Sequence, residues 1–163
     1  MWGLGGHGDC GWRVLAASLA IHNGKTEAQI QSMAEKAGRS LRIQTGEYLQ
    51  REDAWRKDWA FDEEATQRTE DGVVPTSPER WMQAVATRPS RWVCNRTVQA
   101  VASAKNLTVV VFLWRGANWQ CVARIQPEKP AKKAGLVVPL CIVGEHFVGP
   151  NVRLRAGLPS WLP

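Results

Sequence analysis

The sequence predicts an α+β fold, with N-terminal helices packed on a small, mostly antiparallel C-terminal sheet. Three observations carry that expectation. Apolar residues recur at three- and four-residue steps over residues 14–41 and again over 81–102, the period of an amphipathic helix. The period then changes: residues 107–114 are a continuous β-branched and aromatic run, and residues 136–143 are another. The chain of 163 residues, 44% of them hydrophobic, is long enough to bury one core without disulfide help, so a single domain over 1–163 is expected. Helices first and strands last is the order of an α+β domain.

Each element has a local reason. Val14, Ala17 and Ile21 form one helical stripe with Leu15 and Leu19 beside it, and Asn23-Gly24 accepts the left-handed conformation of a C-cap. Thr26 with Gln29 has the form of a capping box, and Ile30, Met33, Ala37 and Leu41 carry a second amphipathic helix with Gly38 as a point for a bend. Residues 47–71 are dense in charge and are expected to form a variable surface lobe reaching to about residue 76, with Trp55 and Trp59 marking a helical patch inside it. Ser77-Pro78-Glu79 combines an oxygen-bearing cap, a proline at the first helical position and an acid in the first turn. Trp81 and Val85 then face inward, and Arg88-Pro89 ends that helix. Asn95 is placed as the cap of a further helix with Val98, Val101 and Ala102 on one side.

The strands follow. Residues 107–114 read as a buried central strand, and Arg115-Gly116-Ala117-Asn118 as a turn into a half-buried partner that directs Trp119, Cys121, Ala123 and Ile125 to one face. Residues 127–135, with two prolines and three lysines, are an exposed connector. Residues 136–143 form a third strand, and His146-Phe147-Val148 extends it or begins a fourth after Gly144. A tail over 151–163 follows Gly149-Pro150.

Composition narrows the function classes. The formal charge is +6, but Lys and Arg are interspersed with Asp and Glu and form no run, so the charge reads as solvation and no nucleic-acid partner is expected. The four cysteines, Cys10, Cys94, Cys121 and Cys141, show no close pairing, which suits reduced thiols in a cytoplasmic setting. No apolar run approaches the ~20 residues of a membrane span. The nine tryptophans are dispersed and read as core bulk. A monomer is the default expectation.

One stretch stands apart chemically: Gly6-His7-Gly8-Asp9-Cys10-Gly11-Trp12-Arg13. Glycines make a backbone-exposed loop, and a cysteine stands where the loop becomes a helix. A thiol there faces unpaired N–H groups and the positive end of the macrodipole, which favour an anion and mark Cys10 as a candidate nucleophile. A nucleophilic cysteine needs a base, and the chain has three histidines. His146, at the lip of a strand beside Gly144, is the best placed; His7 in the glycine loop is the alternative, and His22 reads as a surface group. Cys94, Cys121 and Cys141 read as small buried hydrophobes.

The Gly6–Arg13 octapeptide resembles the Gly-Asp-Gly-Asn-Cys-x-aromatic-Arg motif of the ovarian tumour (OTU) family of cysteine proteases. A second block, Trp92 followed by Thr97-Val98-Gln99-Ala100-Val101-Ala102 and the strand at 107–112, is similar to the family's Trp-Gly, helix and strand segment. A third, Gly144-Glu145-His146-Phe147, resembles the Gly-x-His-aromatic that carries the family's base. The Cys-Gly-Trp start is also similar to viral members, which would place the protein in a host cytoplasm.

The resemblance implies a single OTU-like, papain-like domain acting as a thiol-dependent deubiquitinase. Such an enzyme hydrolyses the peptide or isopeptide bond after the C-terminal glycine of ubiquitin or a ubiquitin-like protein, and that modifier is the implied partner. Cys10 would be the nucleophile and His146 the general base and acid, with the backbone of His7, Gly8 and Asp9 forming the oxyanion loop and no metal or cofactor required. The chain departs from the family pattern at three positions: His7 stands where Asp is usual, Val93 where Gly follows Trp, and Val148 where an acid or amide orients the base. Asn151 is the preferred substitute for that orienting group, ahead of Glu145 and Asp9.

Three other readings compete. A binding module would hold a ubiquitin-like partner without cleaving it. A zinc site could draw on His7, Cys10, Cys141 and His146. A papain-like protease could process its own precursor, with Arg153-Leu154-Arg155-Ala156-Gly157 similar to the end of ubiquitin.

Overall fold

The computed structural model describes residues 9–52, 77–87, 93–129, 135–144 and 146–148. The Trp55–Trp59 patch with most of its lobe, the segment after Thr87 that holds Arg88-Pro89, and the tail lie outside the described residues.

Helix α1 (Cys10–His22) buries Val14, Leu15 and Ala17 of the predicted stripe, together with Trp12 and Ala16, while Leu19 and Ile21 are only partly buried; it ends at Asn23 ahead of Gly24, which has φ +74°. Helix α2 (Glu27–Arg51) opens with the expected capping box: the Gln29 N–H donates to Thr26 Oγ1 (3.4 Å) and the Thr26 N–H to Gln29 Oε1 (3.0 Å). It does not give way to a charged lobe at Glu47. The charges there occupy the outer face, while Leu41, Thr45 and Leu49 continue the buried stripe one turn at a time, so the helix runs on to Arg51. Met33, expected inside, is 36% exposed.

Helix α3 (Pro78–Thr87) starts as predicted, with the Arg80 N–H donating to Ser77 Oγ (3.3 Å) and Trp81 and Val85 buried. Helix α4 (Asn95–Lys105) is capped one residue earlier than expected: Cys94 is the N-cap, its carbonyl takes the Val98 N–H (2.9 Å), and its own N–H donates to Thr97 Oγ1 (2.8 Å).

The sheet holds β1 (Leu107–Arg115), β2 (Asn118–Ile125), β3 (Leu136–Val143) and β4 (His146–Val148) in the order β2-β1-β3-β4. Two of its three ladders are antiparallel; β3 lies parallel to β1. The reason is where the connector starts and ends. β2 finishes opposite Val109 and β3 begins opposite Leu107, at the same end of β1, so the chain steps over that end and β3 must run alongside β1. The expected alternation on β2 is broken by a bulge at Val122, since Val111 pairs with Ala123 and Phe112 with Cys121. Ala123 and Ile125 therefore join the helix-side layer while Trp119 packs behind the sheet, and Cys121 is exposed where burial was expected.

The sheet is buried on both faces over β1 and β3. Val109, Val111, Val138 and Leu140 meet Trp12, Leu15, Leu49, Met82 and Val101 on the helix side; Val110, Phe112, Cys141 and Val148 form the layer behind. β4 covers only Cys141 to Val143 of β3, so Pro139, which has no N–H to offer, sits below that ladder, and its carbonyl accepts the Ser18 hydroxyl (3.0 Å) from α1.

Helix α2 holds its neighbours through one stripe, Gly38, Arg42 and Gly46, each one turn apart. Gly38 meets the backbone of Arg13 on α1: a Cβ there would stand 3.0 Å from Arg13 N. Gly46 meets Ala86 on α3, where a Cβ would collide with the Ala86 Cβ and stand 2.7 Å from its Cα and N. Gly46→Ala gains up to ~1 kcal/mol of helix propensity but overpacks a backbone contact, which costs about 1–3 kcal/mol. A net loss of about 1 kcal/mol is expected, read as a fall of about 2–4 °C in the thermal midpoint.

Candidate active site

Cys10 is the first residue of α1, half-buried and free. It is presented there because the residues around it are fixed. Asp9 leaves the helical conformation (φ −93°, ψ 0°) while its carbonyl takes the Arg13 N–H (3.1 Å), and Trp12 and Val14 are fully buried. The helix is thus pinned just behind a thiol that stays at its mouth.

His146 lies at the exposed first position of the edge strand β4, paired with Val143 across the turn at Gly144, whose φ is +59°. The start of α1 and the start of β4 meet at this edge. A Cβ on Gly11 would stand 2.7 Å from Val93 Cγ2, 2.8 Å from Val93 Cβ and 3.1 Å from Phe147 Cδ2, so the residue after Cys10 lies against the residue after His146. Phe147 packs into the helix-side layer with Ile142, while Val148 turns behind the sheet. Successive residues stand about 100° apart around a helix and on opposite faces of a strand. By that alternation His146 shares the Val148 side of β4, opposite the side on which Phe147 meets Gly11, so the contact joins the two backbone segments that carry Cys10 and His146.

Among the candidates to orient His146, Asp9 is engaged elsewhere. Its Oδ1 lies 3.7 Å from Nε of Arg42, an α2 side chain only 3% exposed, and it makes no side-chain cap to its own helix. Burial raises the Asp9 carboxyl above its ordinary pKa, against the pull of Arg42, Arg13 and Arg39; burial likewise lowers Arg42, against the pull of Asp9. Glu145 and Asn151 lie outside the described residues, as do His7 and Gly8 of the loop. His22 is exposed at the far end of α1, about 18 Å along the axis from Cys10 by the helical rise, and takes no part in the junction.

The remaining thiols divide. Cys141 is fully buried behind the sheet, and burial pushes it up to about 12, so it is inert as a nucleophile at neutral pH. Cys94 is half-buried at its cap and Cys121 is exposed on the bulged strand. Among the described residues no group of three or more His, Cys, Asp and Glu is placed to hold a metal ion, and no helix is long and apolar enough to cross a membrane. Sequence reasoning missed Arg42. Its signal was available: Arg42 stands four residues from each of two glycines, Gly38 and Gly46, on the same stripe of an amphipathic helix.

No family model matches this chain, and no curated protein matches it in sequence. Among solved structures it is similar to the crystal structure of an OTU deubiquitinase from Wolbachia pipientis wMel bound to ubiquitin. The TM-score is 0.50 at 17% identity, over 87% of this chain and 88% of that one. That likeness is one of fold. It covers most of both chains, and the α+β architecture seen here is similar to that of this OTU deubiquitinase.

Proposed function

We propose that this protein is a thiol-dependent hydrolase of ubiquitin or a ubiquitin-like protein, cutting after the modifier's C-terminal glycine. The observation that carries the reading is the Gly11–Phe147 contact, which sets the cysteine-bearing helix start against the histidine-bearing strand start in a fold shared with an OTU deubiquitinase.

The reaction follows from those groups. The Cys10 thiolate adds to the glycyl carbonyl carbon, and the oxyanion that forms accepts hydrogen bonds from backbone N–H groups of the loop from His7 to Cys10. His146, as imidazolium, gives its proton to the leaving amine as the C–N bond breaks, leaving a thioester on Cys10. Neutral His146 then takes a proton from water as the hydroxide adds to the thioester; the C–S bond breaks to release the Cys10 thiolate beside the restored imidazolium, and the carboxylic acid product gives its proton to solvent. Asn151 is assigned the orienting role for the imidazole. The chemistry needs a reduced thiol, which suits a cytoplasmic setting.

A ubiquitin probe with a thiol-reactive C-terminus tests the reading directly. One adduct per chain, mapped by mass spectrometry to Cys10 and lost in Cys10→Ala, is the expected result. Buried Val148, in place of the usual orienting acid or amide, favours a second reading, a binder without turnover. That reading gains if wild type and Cys10→Ala bind ubiquitin equally and neither hydrolyses a fluorogenic ubiquitin ester or amide.

A further inference from the structure

The residue just before the candidate nucleophile behaves unusually for its position. Asp is among the preferred N-caps because its carboxylate accepts the N–H groups of the first helical turn. Asp9 makes no such bond. Its Oδ1 faces Arg42 Nε instead, at 3.7 Å. Arg42 is itself held from behind: its Nη1 donates to the carbonyls of Val85 and Ala86 at the end of α3, each at 3.2 Å. Gly38 and Gly46, one turn to either side of Arg42, let α1 and α3 close on α2 at that level. The guanidinium thus bridges the end of one helix to the start of another, through a third.

An ion pair between a buried guanidinium and a half-buried carboxylate is a poor source of stability, because drawing the charges from water offsets most of their attraction. Its consequence is positional. A carboxylate released at the N-cap would return to the first turn of α1, occupy N–H groups there, and place a negative charge beside Cys10 Sγ. Both effects disfavour a thiolate and an oxyanion at that spot.

We infer that Arg42 is a positioning residue for Cys10: it draws the Asp9 carboxylate away from the start of α1, and so keeps that helix end open to the negative charge of the sulfur. This rests on the reading of Cys10 as the nucleophile. Among the described residues, the charged groups facing Asp9 are Arg42, Arg39 and Glu35 on α2 and Arg13 on α1.

The test is the rate of Cys10 alkylation by iodoacetamide against pH, followed by mass spectrometry on the full chain. A like charge brought within a few ångströms shifts a thiol by about one pH unit, so Arg42→Gln should react about tenfold more slowly near pH 7, with its profile displaced to higher pH. Adding Asp9→Asn to Arg42→Gln should restore the rate to within about twofold of Asp9→Asn alone, because the offending charge is gone. Arg42→Lys keeps a cation but loses the fork to α3, and should slow alkylation about threefold, again erased by Asp9→Asn. Slowing that Asp9→Asn does not erase, or no slowing in whichever Arg42 variant folds, overturns the inference. The readout uses no ubiquitin. A wild type that ignores the ubiquitin probe while showing this coupling would remove the proposed function and leave the inference standing.

Discussion

Cys10→Ala is expected to abolish hydrolysis of a fluorogenic ubiquitin C-terminal substrate, and His146→Ala to lower kcat/KM by about 10²–10⁴, the usual contribution of a positioned general acid and base. Neither change should disturb the fold by more than about 1 kcal/mol. Cys10 is only half-buried and His146 is exposed, so neither side chain leaves a large cavity or an orphaned buried partner. Thermal midpoints within a few degrees of wild type, alongside the loss of rate, would separate chemistry from folding. The His146 result also decides between two bases. If turnover survives in His146→Ala and falls in His7→Ala, the imidazole of the glycine loop serves Cys10 and β4 is only a wall of the site.

Much of this arrangement was legible from local sequence, and the rest depended on contacts between distant segments. The starts of α1, α2 and α3 could be read because capping residues and apolar stripes act within one or two turns: Thr26 with Gln29, and Ser77 ahead of Pro78, behave as their chemistry dictates. The end of α2 is not legible locally: the charge density from Glu47 onward predicts an irregular surface, whereas Leu49 continues a buried face beneath it. The parallel pairing of β3 with β1 and the bulge opposite Val111 and Phe112 are long-range matters of register, which a single strand's alternation does not encode. The site divides the same way. Cys10 and His146 stand out because each sits in a short glycine-marked motif, but the engagement of Asp9 by Arg42 is made between α1 and α2 and was read only as an open candidacy for orienting the base.

Gly11→Ala should lose about 10² in kcat/KM, more than its cost in stability explains, because of where the added methyl falls. A Cβ at this position stands 2.7–2.8 Å from two atoms of Val93 and 3.1 Å from Phe147, so it can be accommodated only if the start of α1 moves away from β4 or Val93 moves away from both. Overpacking of this kind costs about 1–3 kcal/mol, and the better helix propensity of Ala returns up to ~1 kcal/mol, leaving a net loss of about 1 kcal/mol. The effect on rate is larger because the displaced segments are those that bear Cys10 and His146, and a misplacement near 1 Å between reacting groups costs about 10². Ile30→Ala supplies the contrast. It empties a buried site under the other end of α1, against Ala17 and Ala20, and should cost about 2–5 kcal/mol while leaving kcat/KM of the folded fraction within about twofold of wild type. Val93→Ala removes the nearest of the clashing atoms, so Gly11→Ala with Val93→Ala should regain part of the lost rate. Equal rate losses per kcal/mol in Gly11→Ala and Ile30→Ala would mean that the Gly11–Phe147 contact holds the fold together without aligning any chemistry.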